Sequence, residues 1–289
     1  MCDLNTGTLF VVATPIGNLE DITIRALRIL REVAIIAAED TRRTAHLLAR
    51  HAIATQTTSL HAHNEQQKTP ALIQRLLAGE SVALVSDAGT PTISDPGSQL
   101  IAAAIAAGIR VEPVPGPSAI LAALTASGIA FDSFTFLGFP PTRAKDRARW
   151  FERLRQIGGV VVLFEAPHRI RRTLLDLRTV VGDCHVVVGR ELTKIHEQLV
   201  IGQISTVARE RFPDRGEFTL VVDIGQMQDY ERPETPSDKA IAAKFGELTI
   251  NNSRTRRQAI AELARRHKLA PNLVYAALER AKKEGNRPT

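Results

Sequence analysis

The stretch Leu84 to Gly97, LVSDAGTPTISDPG, is the part of this sequence best suited to holding a ligand. It follows Val82-Ala83-Leu84-Val85, which reads as a short buried strand, so the loop leaves the carboxyl edge of a sheet, where open α/β folds bind ligands. Gly89 and Gly97 permit backbone angles closed to other residues, and Pro91 and Pro96 stiffen the path, so backbone amides can approach a ligand closely. Taken without its neighbours, the same stretch is a long turn in which Asp95 caps the next helix. Two further loops of the same character change the balance: Ala13-Thr14-Pro15-Ile16-Gly17-Asn18 after the first strand, and Val114-Pro115-Gly116-Pro117-Ser118-Ala119 after another.

Several common chemistries are not written here. No GxGxxG follows the first strand, which argues against a nucleotide dehydrogenase and the common glycine-rich methyltransferase fingerprint. GxxxxGK[ST] and GxSxG are also missing. His61-Ala62-His63 has metal-ligand spacing, but one HxH in a loop reads better as a solvated or substrate-facing pair. Three Gly/Pro loops without a phosphate cradle suit a ligand lacking phosphate, held by backbone groups and apolar walls.

Alternating elements must position these loops. Strands are expected at Thr8 to Ala13, Val33 to Ala38, Thr57 to Leu60, Val82 to Val85 and Arg110 to Val114. Helices fall between them at Ile22 to Arg31, with Asp21 or Thr23 as cap, and near 42 to 50, 66 to 78 and 97 to 107. This order implies a largely parallel sheet covered on both faces for about 118 residues. After the Ala-rich helix ILAALTASGIA, a second set of strands follows at Ser133 to Gly138, Gly159 to Phe164, His185 to Val188, Leu199 to Gly202 and Phe218 to Ile224. Its helices are expected at about 142 to 156, 166 to 178 and 203 to 211. The expected domains are 1–118, 119–230 and 238–289, with the Pro-bearing stretch Glu231 to Ser237 as a linker.

Charge separates the last of these from the rest. The chain carries a formal +6, yet residues 238–289 alone hold twelve Lys or Arg against five Asp or Glu. A nearly neutral body with a basic appendage suggests contact with a polyanion, first of all nucleic acid. Ser253 can cap a helix with Ala259, Ile260, Leu263 and Ala264 inward and Arg256, Arg257, Arg265 and Arg266 outward. Pro271 suits the first turn of a second helix with Leu273, Val274, Ala277, Leu278 and Ala281 as its apolar stripe, giving a helix-turn-helix-like pair. Phe245 and Tyr275 are its only aromatics apart from histidine, so phosphate contact is the stronger expectation than base stacking.

Two cysteines, Cys2 and Cys184, lie far apart without CxxC spacing, which fits a reducing cytoplasm. The opening MCDLNTGTLFVVATP has no basic region before its apolar residues and reads as a first strand, not a signal peptide. The longest apolar run, Leu100 to Ile109, is too short to span a bilayer, so no membrane partner is expected.

ATPIGNLEDIT, AAEDTRRT, SDAGTPTISDPG, VPGPSA, FEAPHRI, GRELTKIHEQ and GEFTLVV together resemble the tetrapyrrole-methylase-like family. More narrowly, they resemble its RNA-modifying branch, the bacterial small-subunit 16S rRNA methyltransferases that act on the 2′-hydroxyl of a cytidine in the decoding region. The resemblance covers nearly the whole chain, in order. It implies two α/β domains with S-adenosyl-L-methionine in the cleft between them, a small helical C-terminal domain, 16S rRNA or the small ribosomal subunit as partner, and a homodimer. By motif it assigns cofactor contacts to Pro15, Gly89, Ile93, Ser118, Ala119, Glu165, Leu192 and Thr219. Gly89-Thr90-Pro91 replaces the Gly-Asp-Pro usual in tetrapyrrole methylases, and the first loop is poorer in glycine, which points away from a tetrapyrrole substrate but not from the cofactor.

A ribose hydroxyl is a poor acid, so an enzyme of this kind needs help in removing its proton. Glu39, Asp40 and Asp95 are the candidates, although Asp40 and Asp95 are also placed to cap the helices that follow them. Arg42 and Arg43 suit phosphate contacts. Two alternatives stay open: a small-molecule tetrapyrrole methyltransferase, and a nucleic-acid binder whose body no longer catalyses.

Overall fold

The computed structural model describes residues 6–225, 238–250, 255–266 and 271–285. In chain order, β1 (Thr8–Val12), α1 (Ile24–Glu32), β2 (Ile35–Ala38), α2 (Thr41–Arg50), β3 (Thr57–Ser59), α3 (Glu65–Leu77), β4 (Val82–Val85), α4 (Ser98–Ala106) and β5 (Arg110–Val114) alternate as expected. They form a five-stranded sheet of order β3-β2-β4-β1-β5, parallel throughout. The inner strands β2 and β4 are apolar and buried at every position, and β1 is apolar after Thr8, because both faces are covered. Ile36, Ala38, Ala83 and Val85 pack with Ala26, Ile29 and Leu30 of α1 and with Leu47 of α2. Ile35, Ala37, Val82 and Leu84 face Leu72 and Leu76 of α3 and Leu100 of α4. Thr23 is the cap that starts α1, its hydroxyl accepting from the Ala26 amide.

The change of sheet falls between β5 and α5 (Ala119–Ala126). Next come β6 (Phe134–Phe136), α6 (Ala144–Ile157), β7 (Val160–Glu165), α7 (Ile170–Val181), β8 (His185–Arg190), β9 (Gln198–Gln203), α8 (Ile204–Val207) and β10 (Phe218–Asp223). The second sheet has order β6-β7-β10-β8-β9 and is mixed: β6 and β7 run parallel, while the other pairs are antiparallel. Val161, Leu163, Val186, Val188, Leu220 and Val222 bury one face against α6 to α8. Val160, Val162, Val187 and Val221 bury the other against Ile120, Ala123 and Leu124 of α5.

The helix expected over 203–211 is a single turn. The amides of Arg209 and Glu210 bond back three residues, to Thr206 and Val207, which tightens and closes the helix. Pro213, two residues after Arg211, disfavours helical angles at Phe212.

Both sheets belong to one compact unit and the C-terminal helices to a second. Among its described residues the second unit has three helices, α9 (Asp238–Ile250), α10 (Arg256–Arg266) and α11 (Pro271–Gly285), where two were expected. Ile241 of α9 joins Leu263, Ala264, Val274, Ala277 and Leu278 in their core. Leu273 departs from the expected stripe and is exposed, and the Arg256 guanidinium lies over the Tyr275 ring. The proposed Ser253 cap lies outside the described residues. Among the described residues no helix is long and apolar enough to cross a membrane.

Candidate active site

The strand order brings the carboxyl ends of β2, β4, β1 and β5 side by side. The loop after β4 is tied to the loop after β1 by a reciprocal pair: the Thr14 amide donates to the Gly89 carbonyl at 2.9 Å and the Gly89 amide to the Thr14 carbonyl at 3.0 Å. The Gly89 amide is therefore engaged within the protein. Glycine is required there by its φ of +76°, since a Cβ would meet only ordinary contacts, the nearest at 3.4 Å. Thr92 and Ser94 also have positive φ, 71° and 72°, which costs about 1–3 kcal/mol each and persists only where the surroundings over-determine it.

The anchor at the far end of this loop is not visible in the sequence. The buried carboxylate of Glu65, at the start of α3, accepts from the amides of Gly97, Gln99 and Leu100 at 3.1, 2.8 and 3.2 Å. Glu65 thus caps α4 from another helix, at the end that favours a negative charge. The capping alternative for Asp95 does not hold: the residue at the cap position is Gly97.

A cavity of about 380 Å³ lies where this loop meets the second sheet. From the first sheet, Glu39, Arg43, Asp87, Gly89, Ile93, Asp95, Ser118 and Ala119 line it; from the second, Phe139, Phe164, Glu165, Glu217 and Thr219 do. Glu39 and Asp87 follow neighbouring strands and brace each other, the Asp87 amide donating to Glu39 at 3.3 Å and the Asp40 amide to Asp87 at 2.9 Å. Asp87 also lies 3.5 Å from the Arg43 guanidinium. Burial, then the charge of Glu39, pushes the Asp95 carboxyl up to about 6, against a hydrogen bond from Ser86. Burial likewise raises Glu39.

Asp40 behaves differently, although it adjoins Glu39 in sequence. Its carboxylate caps α2 through the Arg42 amide at 2.9 Å and pairs with the Arg42 guanidinium at 2.8 Å. The hydrogen bond from the Arg42 side chain is the main cause that holds it down at about 2. It does not line the cavity.

On the far wall, Glu165 is 1% exposed and fully engaged within the second sheet's layer. One oxygen accepts from the Ala166 amide at 2.7 Å and pairs with Arg169 at 2.5 Å. The other accepts from the Thr173 hydroxyl and lies 3.7 Å from Arg147, itself buried and paired with Asp176 at 2.7 Å. The carboxylate therefore holds the Phe164–Pro167 rim in place.

Of the eleven catalytic and cofactor candidates, eight border the cavity: Glu39, Asp95, Gly89, Ile93, Ser118, Ala119, Glu165 and Thr219. Pro15 is buried beside the lining residue Ile16. Leu192 packs on the α5 face of the second sheet, and its carbonyl would sit 2.9 Å from a Cβ at Gly17, so the first loop is pressed against this segment. Asp87 was passed over, although its place two residues beyond β4 in a Gly/Pro loop is a usable signal. Phe139 had no such mark, and Glu217 was marked only by its place in GEFTLVV.

Residues 8–208 match the family model described as Tetrapyrrole (Corrin/Porphyrin) Methylases. The chain is 50% identical over 228 residues to "Ribosomal RNA small subunit methyltransferase I" of Xylella fastidiosa, covering 77% of this chain and 84% of that one. It is 44% identical over 273 residues to the protein of the same name from Synechocystis, covering 93% and 96%. Among solved structures, diphthine synthase superposes with a TM-score of 0.59 at 17% identity, over 75% of this chain and 90% of that one, a likeness of fold. A parallel sheet joined to a mixed one, the cavity at its carboxyl edge and a family match over residues 8–208 lead to one conclusion: this chain belongs to the tetrapyrrole (corrin/porphyrin) methylase family.

Proposed function

We propose that this chain transfers a methyl group from S-adenosyl-L-methionine to the 2′-hydroxyl of a cytidine ribose in the decoding region of small-subunit 16S rRNA. The observation that carries the reading is the cavity, which combines apolar walls with an acidic side, in a chain whose near-full-length relatives are named as small-subunit rRNA methyltransferases. Its volume falls in the usual range for small-molecule sites, about 300–1,000 Å³. The residues fit the donor: Glu39 and Asp95 are raised by burial and like charge, a state that a bound cation relieves. Ile93, Ser118, Ala119, Thr219 and the Gly89 turn would hold it, with Pro15 and Leu192 supporting the wall from behind and Glu165 fixing the rim. Bound there, S-adenosyl-L-methionine supplies an electrophilic methyl group on a positively charged sulfur.

The protein's own task is to orient the ribose hydroxyl and take its proton. Asp95, helped by Glu39, suits that role, because a base works best with a pKa close to the working pH and Asp95 stands at about 6. Asp40, held at about 2 by Arg42, is a weak base and an effective cap. Arg43 is available at the cavity wall for a phosphate.

The basic C-terminal unit is read as an RNA-docking module. Ending the chain near Ser237 should leave affinity for S-adenosyl-L-methionine unchanged, weaken RNA binding and flatten its salt dependence, by about 0.7–0.9 of a log-log unit for each phosphate no longer neutralised. A homodimer is part of the same reading, supported by the exposed Ile195, Leu199 and Ile201 at the β9 edge. Sedimentation at micromolar concentration tests it, and a monomer would remove it.

Labelled S-adenosyl-L-methionine supplied with small subunits, naked 16S rRNA or a porphyrinoid tests the reaction itself. Label at a cytidine 2′-oxygen is the expected result; label in the porphyrinoid alone would overturn it.

A further inference from the structure

Phe139 lines the cavity yet is 52% exposed, although Pro140 beside it is buried. The two other phenylalanines in the lining are packed down: Phe218 is buried, and Phe164 stacks edge-on to Phe136 at 4.9 Å between centroids. Phe139 leans on Phe164 at 5.5 Å and leaves the rest of its ring open.

The backbone that carries the ring is pinned on both sides. The Gly138 carbonyl accepts from the Phe164 amide at 3.0 Å, and the Pro140 carbonyl accepts from Arg169 at 3.2 Å. Arg169 is in turn fixed by the buried Glu165. On its other side Gly138 adjoins the loop of Asp95, a Cβ there lying 3.4 Å from the Ser94 hydroxyl. A rigid, half-open aromatic face therefore stands at the mouth of the cavity, next to the loop carrying the proposed proton acceptor.

Resting on the RNA-methylation reading, we infer that Phe139 is the platform on which the target nucleobase stacks when its ribose enters the cavity. A ribose hydroxyl that reaches an enclosed site carries its base out of the stack, and an aromatic side chain takes the place of the neighbouring bases. Stacking tolerates any base, so this ring orients the nucleotide and leaves the choice of base to other groups.

The test compares Phe139→Leu, Phe139→Ala and Phe139→Trp in the full chain, with small-subunit RNA and S-adenosyl-L-methionine as substrates. Leucine keeps an apolar contact with Phe164 but has no π-face, so KM for RNA should rise about tenfold for both Leu and Ala. Trp should return it to within twofold, and calorimetric affinity for S-adenosyl-L-methionine should stay within twofold in all three. A fluorescent base at the target position should be quenched by the wild type and the Trp variant and not by the Leu variant. A Leu variant with wild-type KM and quenching overturns the proposal, as does an equal loss of S-adenosyl-L-methionine affinity, which would make the ring part of that ligand's wall. A wild-type chain that labels no RNA sinks the methylation reading and takes this one with it; a wild type and Leu variant that label RNA equally sink the stacking alone.

Discussion

Glu165, at the end of β7, and Asp95, in the loop after β4, border one cavity, and the fold treats their charges in opposite ways. Glu165 has no exposed side-chain surface and is met by a backbone amide, a hydroxyl and two guanidinium groups. Asp95 is half-buried beside Glu39 and Asp87, and both charges push its carboxyl upward. A buried carboxylate that is met by partners on every side makes a stiff support. One that is only partly satisfied keeps a pKa near neutrality and stays available for chemistry. Burial alone thus does not mark a reactive acid; what its neighbours provide decides.

The largest expected effect breaks the comparison on the structural side. Glu165→Gln removes the negative partner from Arg147 and Arg169 in a buried site, and losing one member of a buried pair costs about 3–5 kcal/mol. Urea unfolding followed by circular dichroism should show this drop. A loss below about 1 kcal/mol would mean that the network is not a support.

Asp95→Asn should reverse the pattern, with a single-turnover methylation rate about a hundredfold lower in a chain that stays folded. In the wild type, kcat/KM should climb with pH up to about 6 and then level, and the Asn variant should lose that inflection. Stability carries a matching signature. A carboxyl raised in the fold from 3.8 to about 6 binds its proton more tightly folded than unfolded. Its contribution is therefore present below about pH 4 and is lost as pH rises through 6. Asn should flatten that part of the stability profile, and an unaltered profile would detach Asp95 from it.

Glu65→Gln is expected to act between these extremes. The amide oxygen can still accept, but the charge at the α4 terminus is gone, so a loss of about 1–2 kcal/mol should appear, with a smaller fall in methylation. Hydrogen exchange at the Gln99 and Leu100 amides would report it directly. Asp40→Asn should do least: asparagine caps nearly as well as aspartate, and the methylation rate should remain within twofold. A tenfold loss would return Asp40 to the proton-transfer step.

Much of this arrangement was legible beforehand because it rests on local rules. Runs such as Val82 to Val85 signal a strand buried on both faces, and the Gly/Pro loops after β1, β4 and β5 announce the edge where a ligand sits. The 203–211 helix was over-read because its apolar spacing holds for one turn only, before backbone hydrogen bonds close it. The missing helix of the C-terminal unit, α9, follows directly on the proline-bearing stretch, and its apolar residues mean little until Leu263 and Val274 are there to meet Ile241.

By itself the sequence determined the alternation of elements, the parallel first sheet, the placing of three ligand-type loops at one edge and the small residues Ser118 and Ala119 beside them. Those follow from periodicity and backbone freedom, which each segment carries alone. Only the tertiary structure decided which carboxylate does what. Asp40 and Asp95 read alike in sequence, but one is held by an arginine two residues on, while the other loses its capping place to Glu65, thirty-odd residues upstream. Glu39 meets Asp87 because β2 and β4 are neighbours in the sheet, and Glu165, at the end of β7, is paired with Arg147 of α6. A charge's proton affinity is set by what surrounds it in space, and strand order and helix packing assemble those surroundings from residues that no local pattern joins.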